Sequence, residues 1–390
     1  MFLSIPPSWY FWVYIAFISI LVLIKIIPSG NSNLLSYEAE NKGYVKTITV
    51  GVILIIFFGL RDPIDNGLFF GDTKGYATAY EMVQDGTILP TTERIGLEED
   101  DKLGEIGFLY IRDIMAQNQM DVSLWFIVVA AISIIPTVIA LHKLFPGHEY
   151  LAFLFWICSF GFYGGLVNGL RNANAVSIFF LGFVLIILYL NKFKEYKIQI
   201  ILGIIFCIAA YYFHHSIVIL WISFPLALFV VKNTKSAILI WFAAIIASLI
   251  FGNTLADMAV AFDFDDRAEQ YLIGGEDSQM MEEVFSQVGF RWDFLIFSAM
   301  PIILGYYVTV VKGIKNRTYQ ILLNTYIIAN AIWIIFMYAA FTNRFASLSW
   351  SLYPFVLCYP MVKFKIYPNS QATATGWMLV GLIIFVVMFS

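Results

Sequence analysis

The chain is organised around Phe162-Tyr-Gly-Gly-Leu-Val-Asn-Gly-Leu-Arg171-Asn-Ala-Asn-Ala175, a stretch in which a single arginine separates two hydrophobic runs. A guanidinium stays charged at physiological pH and is costly to place against lipid. An arginine at the end of a membrane span therefore usually faces a wet cavity or an anionic partner. The first question for the rest of the sequence is on which side of the membrane Arg171 lies.

The composition of the whole chain predicts a polytopic integral membrane protein. Of the 390 residues, 60% are hydrophobic and only 13% are charged, and the hydrophobic residues are spread over the full length. We expect an all-α fold with about twelve membrane-spanning helices, because apolar runs of this length can cross a bilayer. Eleven spans are the alternative, because the second, fourth and sixth runs are short or abut the next. The approximate bounds of the runs are 9–27, 45–60, 122–141, 149–166, 172–190, 198–213, 215–231, 236–252, 294–311, 318–340, 346–362 and 374–389.

Basic residues indicate which side of the membrane each connection faces. With the N-terminus outside, 14 of the 23 Lys and Arg residues fall on inside connections, and 13 of those 14 are lysines. Cytoplasmic connections carry an excess of basic residues, so this orientation is favoured. The outside connections instead carry seven arginines and two lysines. Because a planar guanidinium binds phosphate or carboxylate through two parallel hydrogen bonds, this asymmetry predicts an anionic ligand on the outer face.

Two long outer connections, 61–121 and 253–293, belong to what we expect to be a single membrane domain over 1–390. The first has 13 acidic and 5 basic residues and the second has 10 and 2, so each has a net charge of −8. Short amphipathic helices are expected at three places in these connections: Asp72–Tyr80, Gly104–Ile114 and Asn253–Tyr271. In the first of them, Tyr76 and Tyr80 share one helical face. Solvated acidic caps without a binding role are the alternative interpretation.

Two motifs at the outer ends of spans suit anion binding and acid–base chemistry. Arg171 lies at the expected start of the fifth span, where the free amides of a helix end also attract anions. His214 and His215 are expected together on the helical outer end of the sixth span, where a neutral imidazole can accept a proton from an attacking hydroxyl. The alternatives are an arginine that anchors to lipid headgroups and histidines that only cap a helix.

Further arginines lie near span ends on the same side. Arg61-Asp62 ends the second span, and Arg291-Trp-Asp293 leads into the ninth. Arg344 lies in the turn between the tenth and eleventh spans. Simple salt bridges or headgroup anchors are the alternatives for these arginines. Their position on one side of the membrane is what favours a shared ligand.

A series of short motifs resembles a known family. The motifs are Gly59-Leu-Arg61, Asp72-x-x-x-Tyr76-x-x-x-Tyr80, Glu105-x-Gly-Phe, Leu170-Arg171-Asn-x-x-Ala175, Phe213-His214-x-Ser216 and Asn343-Arg344. Their order and spacing between residues 45 and 360 resemble the EpsG-like branch of the Wzy-type bacterial polysaccharide polymerases. Members of that family more often have Arg-Gln where this chain has Arg171-Asn172. The family's His-x-Ser/Thr pattern selects His214 over His215.

This resemblance implies a multi-pass enzyme of the bacterial inner membrane with its active face in the periplasm. It would join undecaprenyl-pyrophosphate-linked oligosaccharide repeat units into an O-antigen, a capsule or an exopolysaccharide. The residues implied are His214, Asp72 and Glu105 for catalysis, Arg61, Arg171, Arg291 and Arg344 for pyrophosphate binding, and Tyr76, Tyr80, Trp292 and Asp293 for sugar binding. The partners implied are the lipid-linked donor and acceptor, membrane lipids, a chain-length regulator and a flippase. Nucleic acid, metals and cofactors are not expected.

Three other activities stay open from the sequence. An O-antigen ligase would share a similar number of spans, an outer histidine and the arginines, and only the motif order argues against it. A GT-C glycosyltransferase that uses lipid-phosphate sugars would have an acidic catalytic residue in the first outer connection, where Asp62 and Asp72 lie, but a paired acidic motif does not follow the first span. A flippase or transporter would place charges within spans and often has repeated halves, whereas these charges lie at span ends.

Overall fold

The computed structural model describes residues 5–26, 43–63, 67–91, 105–261, 289–338, 342–364, 366 and 370–389, and within these ranges every regular element is a helix. The α-helices are α1 (Pro7–Ile26), α2 (Gly43–Gly59), α3 (Gly67–Phe70), α4 (Thr73–Gln84), α5 (Ile106–Gln117), α6 (Val122–Leu144), α7 (Glu149–Ile157), α8 (Phe160–Val167), α9 (Leu170–Tyr189), α10 (Lys197–Tyr211), α11 (Val218–Pro225), α12 (Thr234–Ala261), α13 (Trp292–Tyr306), α14 (Arg317–Ile335), α15 (Thr342–Trp350), α16 (Tyr353–Lys363) and α17 (Ser370–Phe389). Short 3₁₀ and π segments cover Leu190–Lys192, His215–Ile217, Leu226–Val230 and Tyr307–Val311. The all-α prediction is confirmed for these residues.

In its described residues, each apolar run of the sequence coincides with helical structure, although not every helix has the length of a membrane span. Within the described ranges, seven helices are long and apolar enough to cross a membrane, or eight if the bent pair α7–α8 forms one span. Three shorter apolar helices cover Gly43–Gly59, Lys197–Tyr211 and His215–Val230. The chain therefore has the helices of an integral membrane protein, and the count of about twelve spans stays a prediction.

Two compact units divide the chain: residues 1–214 with 361–390, and residues 215–360. In the first unit, α9 packs against both α6 and α10. A Cβ atom at Gly182 of α9 would lie only 2.4 Å from the carbonyl oxygen of Gly203 in α10, so this contact admits only glycine. Ser133 of α6 donates to Asn174 Oδ1 of α9 at 2.5 Å. One turn further along the same two helices, the hydroxyls of Thr137 and Ser177 lie 2.8 Å apart. Small residues and interhelical hydrogen bonds are the usual means of helix association in membranes.

The fourth apolar run is broken, because α7 and α8 are bent by 68° at Cys158 and Ser159. Such a break leaves backbone carbonyls without helical partners. Tyr14 of α1 donates its hydroxyl to the Ile157 carbonyl at 2.7 Å, and Ser159 donates to the Trp156 carbonyl at 2.6 Å. Only two residues separate α8 from α9, so the position of α8 sets where α9 begins.

The connection 61–121 contains the two amphipathic helices expected from the sequence, α4 and α5. Their apolar faces meet the start of α6, where Tyr80 stacks on Trp125 with ring centroids 5.3 Å apart and Phe108 meets the same ring edge-on at 5.6 Å. Asp121 caps α6 by accepting hydrogen bonds from the Ser123 amide at 2.8 Å and hydroxyl at 2.6 Å. These bonds lower the pKa of Asp121.

In the second unit, several of the polar side chains buried between helices form hydrogen bonds with one another. Trp241 of α12 donates to Asn330 Oδ1 of α14 at 2.8 Å, and the Asn330 amide donates to Ser349 at 3.1 Å. Trp350 donates to the Ser298 hydroxyl at 2.8 Å. These bonds link four helices of the unit, α12 to α15, through their side chains.

The prediction of a separate short helix at 253–271 is wrong for the part that the structure describes. Residues 253–261 continue α12, which runs without a break from Thr234 to Ala261. The helix of the preceding span continues beyond its most apolar residues. Residues 262–288 lie outside the described ranges, so the outer connection 253–293 stays a prediction.

Candidate functional site

Four polar side chains of the first unit meet at one place, and we call them the Glu105 cluster: Tyr76, Glu105, Arg171 and His214. Glu105 Oε1 lies 2.7 Å from His214 Nδ1, and Glu105 Oε2 forms a salt bridge with Arg171 Nη1. Arg171 Nε donates to the Tyr76 hydroxyl at 3.0 Å. Side-chain exposure is 21% for Arg171, 14% for His214 and 7% for Glu105, so the carboxylate is the most buried charge of the cluster.

The backbone holds Glu105 in a conformation that non-glycine residues rarely adopt, with φ 68° and ψ 12°. This left-handed region costs about 1–3 kcal/mol, so the surrounding structure must stabilise it. Two residues later, the Gly107 amide donates to the Tyr212 carbonyl at 2.8 Å, and a Cβ atom at Gly107 would lie 3.0 Å from that oxygen. Gly107 thereby lets the first turn of α5 lie against the end of α10, which brings Glu105 to His214. This contact explains the Glu105-x-Gly107 spacing.

Arg171 is the second residue of α9, as the sequence predicted. Its guanidinium carbon lies 5.7 Å from the centre of the Tyr76 ring, and Phe108 meets that ring edge-on at 5.6 Å. The anionic partner that the sequence led us to expect is, in this structure, the Glu105 carboxylate. Arg171 therefore has protein partners on α4 and at the start of α5.

His214 contacts Glu105 through Nδ1. A proton on Nδ1 satisfies the carboxylate and leaves Nε2 with a lone pair, which makes Nε2 the atom able to accept a proton. The expectation that His214 and His215 share one helical end is wrong, because α10 ends at Tyr211 and His215 begins the 3₁₀ helix His215–Ile217 of the second unit. The preference for His214 as the base stays a prediction, and its contact with Glu105 supports it.

Asp72 and Tyr80, also predicted as site residues, occupy different surroundings in the first unit. Asp72 precedes α4 but its side chain makes no capping hydrogen bond, and its backbone amide donates to Asn168 Oδ1 at 2.9 Å. The Tyr80 ring is fully buried, and its hydroxyl donates to the Met120 carbonyl at 2.9 Å. Burial raises the pKa of Tyr80 to about 12. In this conformation Tyr80 supports the packing of α4, whereas Tyr76 belongs to the cluster itself.

Arg61 is almost completely buried, with 1% of its surface exposed. Its guanidinium donates to the Phe58 carbonyl and, at 3.2 Å, to the Thr73 hydroxyl, and it lies 4.6 Å from the centre of the Phe126 ring. Among the described residues, Arg61 Nε has no hydrogen-bond partner. Burial lowers the pKa of Arg61 to about 10, so the side chain stays charged at neutral pH. Arg61 thus fixes the start of α4 to the end of α2.

The remaining predicted site residues belong to the second unit. Arg291 forms a bidentate salt bridge with Asp293, with donor–acceptor distances of 2.9 and 2.6 Å, and its guanidinium lies 3.9 Å from the centre of the Phe294 ring. Trp292 is 57% exposed. The expectation that Arg344 lies in a turn between two spans is wrong, because this residue belongs to the first helical turn of α15. The salt bridge that the sequence left as the alternative for Arg291 is therefore present. A role in ligand binding for these residues stays a prediction.

Sequence reasoning missed a buried ion pair on α5. Arg112 Nε donates to Asp113 Oδ1 at 2.8 Å, and Asp113 Oδ2 accepts from the Thr91 amide at 2.6 Å. Arg112 also donates to the Thr91 hydroxyl at 3.3 Å. The pair fixes Thr91 to the helix that follows Glu105. The signal in the sequence was the adjacent pair of opposite charges inside an otherwise apolar helical segment.

Comparison with models of known protein families identifies a match over most of the chain. The model of the EpsG family matches residues 45–390, which include every candidate site residue. Neither the curated proteins nor the solved structures contain a match.

Proposed function

Because the chain belongs to the EpsG family, which is tied to exopolysaccharide synthesis, we propose that it is a Wzy-type polymerase of lipid-linked repeat units. In this reaction the terminal sugar hydroxyl of one undecaprenyl-pyrophosphate-linked oligosaccharide attacks the anomeric carbon of the growing chain. The new glycosidic C–O bond forms as the bond between that carbon and the pyrophosphate breaks. The acceptor hydroxyl loses its proton, and undecaprenyl pyrophosphate leaves with the bonding electron pair.

The observation that carries this proposal is the Glu105 cluster. Glycosyl transfer to a hydroxyl needs a proton acceptor beside the nucleophile and positive charge beside the leaving group. His214 supplies an imidazole and Arg171 supplies a guanidinium, and one carboxylate contacts both. Three motifs that are far apart in the chain therefore supply complementary groups to one place.

Each residue of the cluster has a distinct role in the proposed reaction. His214 Nε2 accepts the proton of the attacking hydroxyl, while Glu105 holds the ring through Nδ1. Arg171 stabilises the negative charge that develops on the pyrophosphate, and a fixed donor of this kind typically contributes about 3 kcal/mol or more to catalysis. Tyr76 orients Arg171 and offers an aromatic face to a sugar ring.

We place the cluster on the periplasmic face of the inner membrane. The orientation rests on the excess of lysine on the opposite connections. Three of those lysines lie over tyrosine rings at 5.5 to 5.9 Å, an arrangement that suits a membrane–water interface: Lys46 over Tyr150, Lys192 over Tyr196 and Lys312 over Tyr307. The cluster would then lie at the periplasmic ends of the helices, and a lipid-linked substrate would reach it from the periplasmic leaflet.

The decisive experiment uses the purified protein in nanodiscs with an undecaprenyl-pyrophosphate-linked repeat unit as the only substrate. We expect released undecaprenyl pyrophosphate and glycans of two or more units, measured together by mass spectrometry. In a deletion strain, the surface glycan should be capped at a single repeat unit and regain its length on complementation.

Other activities give different results in the same assays. A ligase would leave purified repeat units unjoined until a lipid A core acceptor is added. A flippase would move the substrate across the bilayer without releasing undecaprenyl pyrophosphate. Either result would refute the polymerase proposal.

A further inference from the structure

The two oxygens of Glu105 are divided between the two groups that the proposed reaction needs. Oε1 contacts the His214 imidazole and Oε2 contacts the Arg171 guanidinium. A pyrophosphate that binds Arg171 is an anion of the same sign as this carboxylate. Two anions beside one guanidinium repel each other, so the ligand and Glu105 cannot both keep full contact with Arg171 at no cost.

Glu105 and Arg171 are each held in place by contacts of their own. The left-handed backbone at Glu105 and the Gly107–Tyr212 hydrogen bond fix the origin of the carboxylate. The Tyr76 hydroxyl accepts a hydrogen bond from Arg171 Nε, which leaves the Nη groups to exchange partners. A partner exchange at Nη1 therefore requires no movement of α4 or α9.

We propose that Glu105 is a positioning residue that competes with pyrophosphate for Arg171. This inference rests on the polymerase proposal and adds a regulatory step at the same site. When pyrophosphate takes the Nη groups of Arg171, Glu105 keeps His214 as its remaining partner in the cluster. The carboxylate, no longer neutralised by the guanidinium, then favours protonation of the imidazole more strongly. Binding of the leaving group thereby prepares His214 to accept the proton of the attacking hydroxyl.

This competition makes a prediction that a structural role for Glu105 does not make. Glu105→Gln removes the competing charge and keeps the shape of the side chain. The variant should bind pyrophosphate more tightly, by about tenfold, because Arg171 no longer spends most of its time with an internal partner. Its turnover should fall by about 10²-fold or more, because the imidazole has lost its anionic partner. A residue that only stabilises the fold would weaken both properties.

The measurement is the affinity of undecaprenyl pyrophosphate for the full chain in nanodiscs of zwitterionic lipid. Binding is monitored by a fluorescence competition assay. Inorganic pyrophosphate forms a second arm, which separates recognition of the diphosphate from recognition of the lipid. His214→Asn is the matched control, because it should lower turnover and leave binding within about twofold of the wild type. If Glu105→Gln does not fold, Glu105→Asp shortens the reach to Arg171 and should give the same signs with smaller changes.

Each outcome decides a separate point. Tighter binding together with slower turnover supports the competition. Equal or weaker binding by both Glu105 variants, with normal binding by the wild type, overturns it and leaves the polymerase proposal standing. A wild type that binds neither probe overturns the polymerase proposal and this inference together. If the Glu105 variants bind only inorganic pyrophosphate more tightly, the competition involves the diphosphate and not the lipid, and the proposal is supported.

Discussion

Replacing His214 by alanine should stop extension of the glycan while leaving the protein folded. The imidazole is mostly buried, with 14% of the side chain exposed, and it forms a polar contact with Glu105 at 2.7 Å. Glu105 keeps its salt bridge with Arg171 in the variant, and the carboxylate is not left without a partner. The structural cost should therefore be near that of one hydrogen bond to a charged group, about 1.5–3 kcal/mol.

The catalytic cost should exceed the structural cost. Removal of a positioned general base typically lowers the rate by about 10²- to 10⁴-fold. Each factor of ten corresponds to about 1.4 kcal/mol, so the barrier rises by roughly 3–5 kcal/mol. Because a polymer forms only when extension is faster than removal of the chain, a loss of this size should leave a surface glycan of a single repeat unit.

The assay is a gel of surface glycan from a deletion strain that carries each variant, with the membrane content of the protein measured by immunoblot. His215→Ala is the matched control, because it removes the same side chain from the adjacent position and should retain long chains. Long chains from His214→Ala at normal protein level would refute the assignment of the base. A reversed result for the two histidines would move the base to His215, and long chains from both would direct the search to Asp72, Glu105 and Asp293.

Three further changes test the site and the fold. Arg171→Lys should lose most polymerising activity although its charge is kept, because an ammonium cannot keep both contacts of the guanidinium; full-length glycan ladders at normal protein level would contradict this. Gly182→Val should lower the stability of the purified protein by about 1–3 kcal/mol, because the added Cβ would meet a backbone oxygen of α10 at 2.4 Å. Thermal unfolding checks it against Gly161→Ala, where the Cβ meets open space, and equal midpoints would refute the close contact. Asp121→Ala should cost about 1 kcal/mol at neutral pH by removing the cap of α6. The lowered pKa of Asp121 means that this contribution exists above the unfolded-state value of about 4 and is lost as the pH falls through the folded value, so the difference between wild type and variant should close in acid. A difference in unfolding midpoint that persists there would show that the carboxylate charge is not involved.

The helical fold could be predicted because apolar runs of span length have few other structures available in a membrane. Helix breaks and helix ends within an apolar run were harder to predict. At the break beside Cys158, the Ile157 carbonyl accepts a hydrogen bond from Tyr14, which is far away in the chain. The extension of α12 past its apolar residues also left no signal, because polar residues at a helix end resemble the start of a connection.

The members of the Glu105 cluster could be found from the sequence, whereas their relation to one another could not. Motif chemistry assigns arginine to anions and histidine to protons, and each residue was accordingly given a ligand of its own. The distances depend on two backbone features, the left-handed conformation at Glu105 and the close approach that Gly107 permits, and neither has a periodic pattern. Because the side chains bind each other, any anion that reaches Arg171 has to exchange with an existing partner. The affinity of the site is therefore a difference between two ion pairs, and substitutions at Glu105 should act on binding and on turnover in opposite directions.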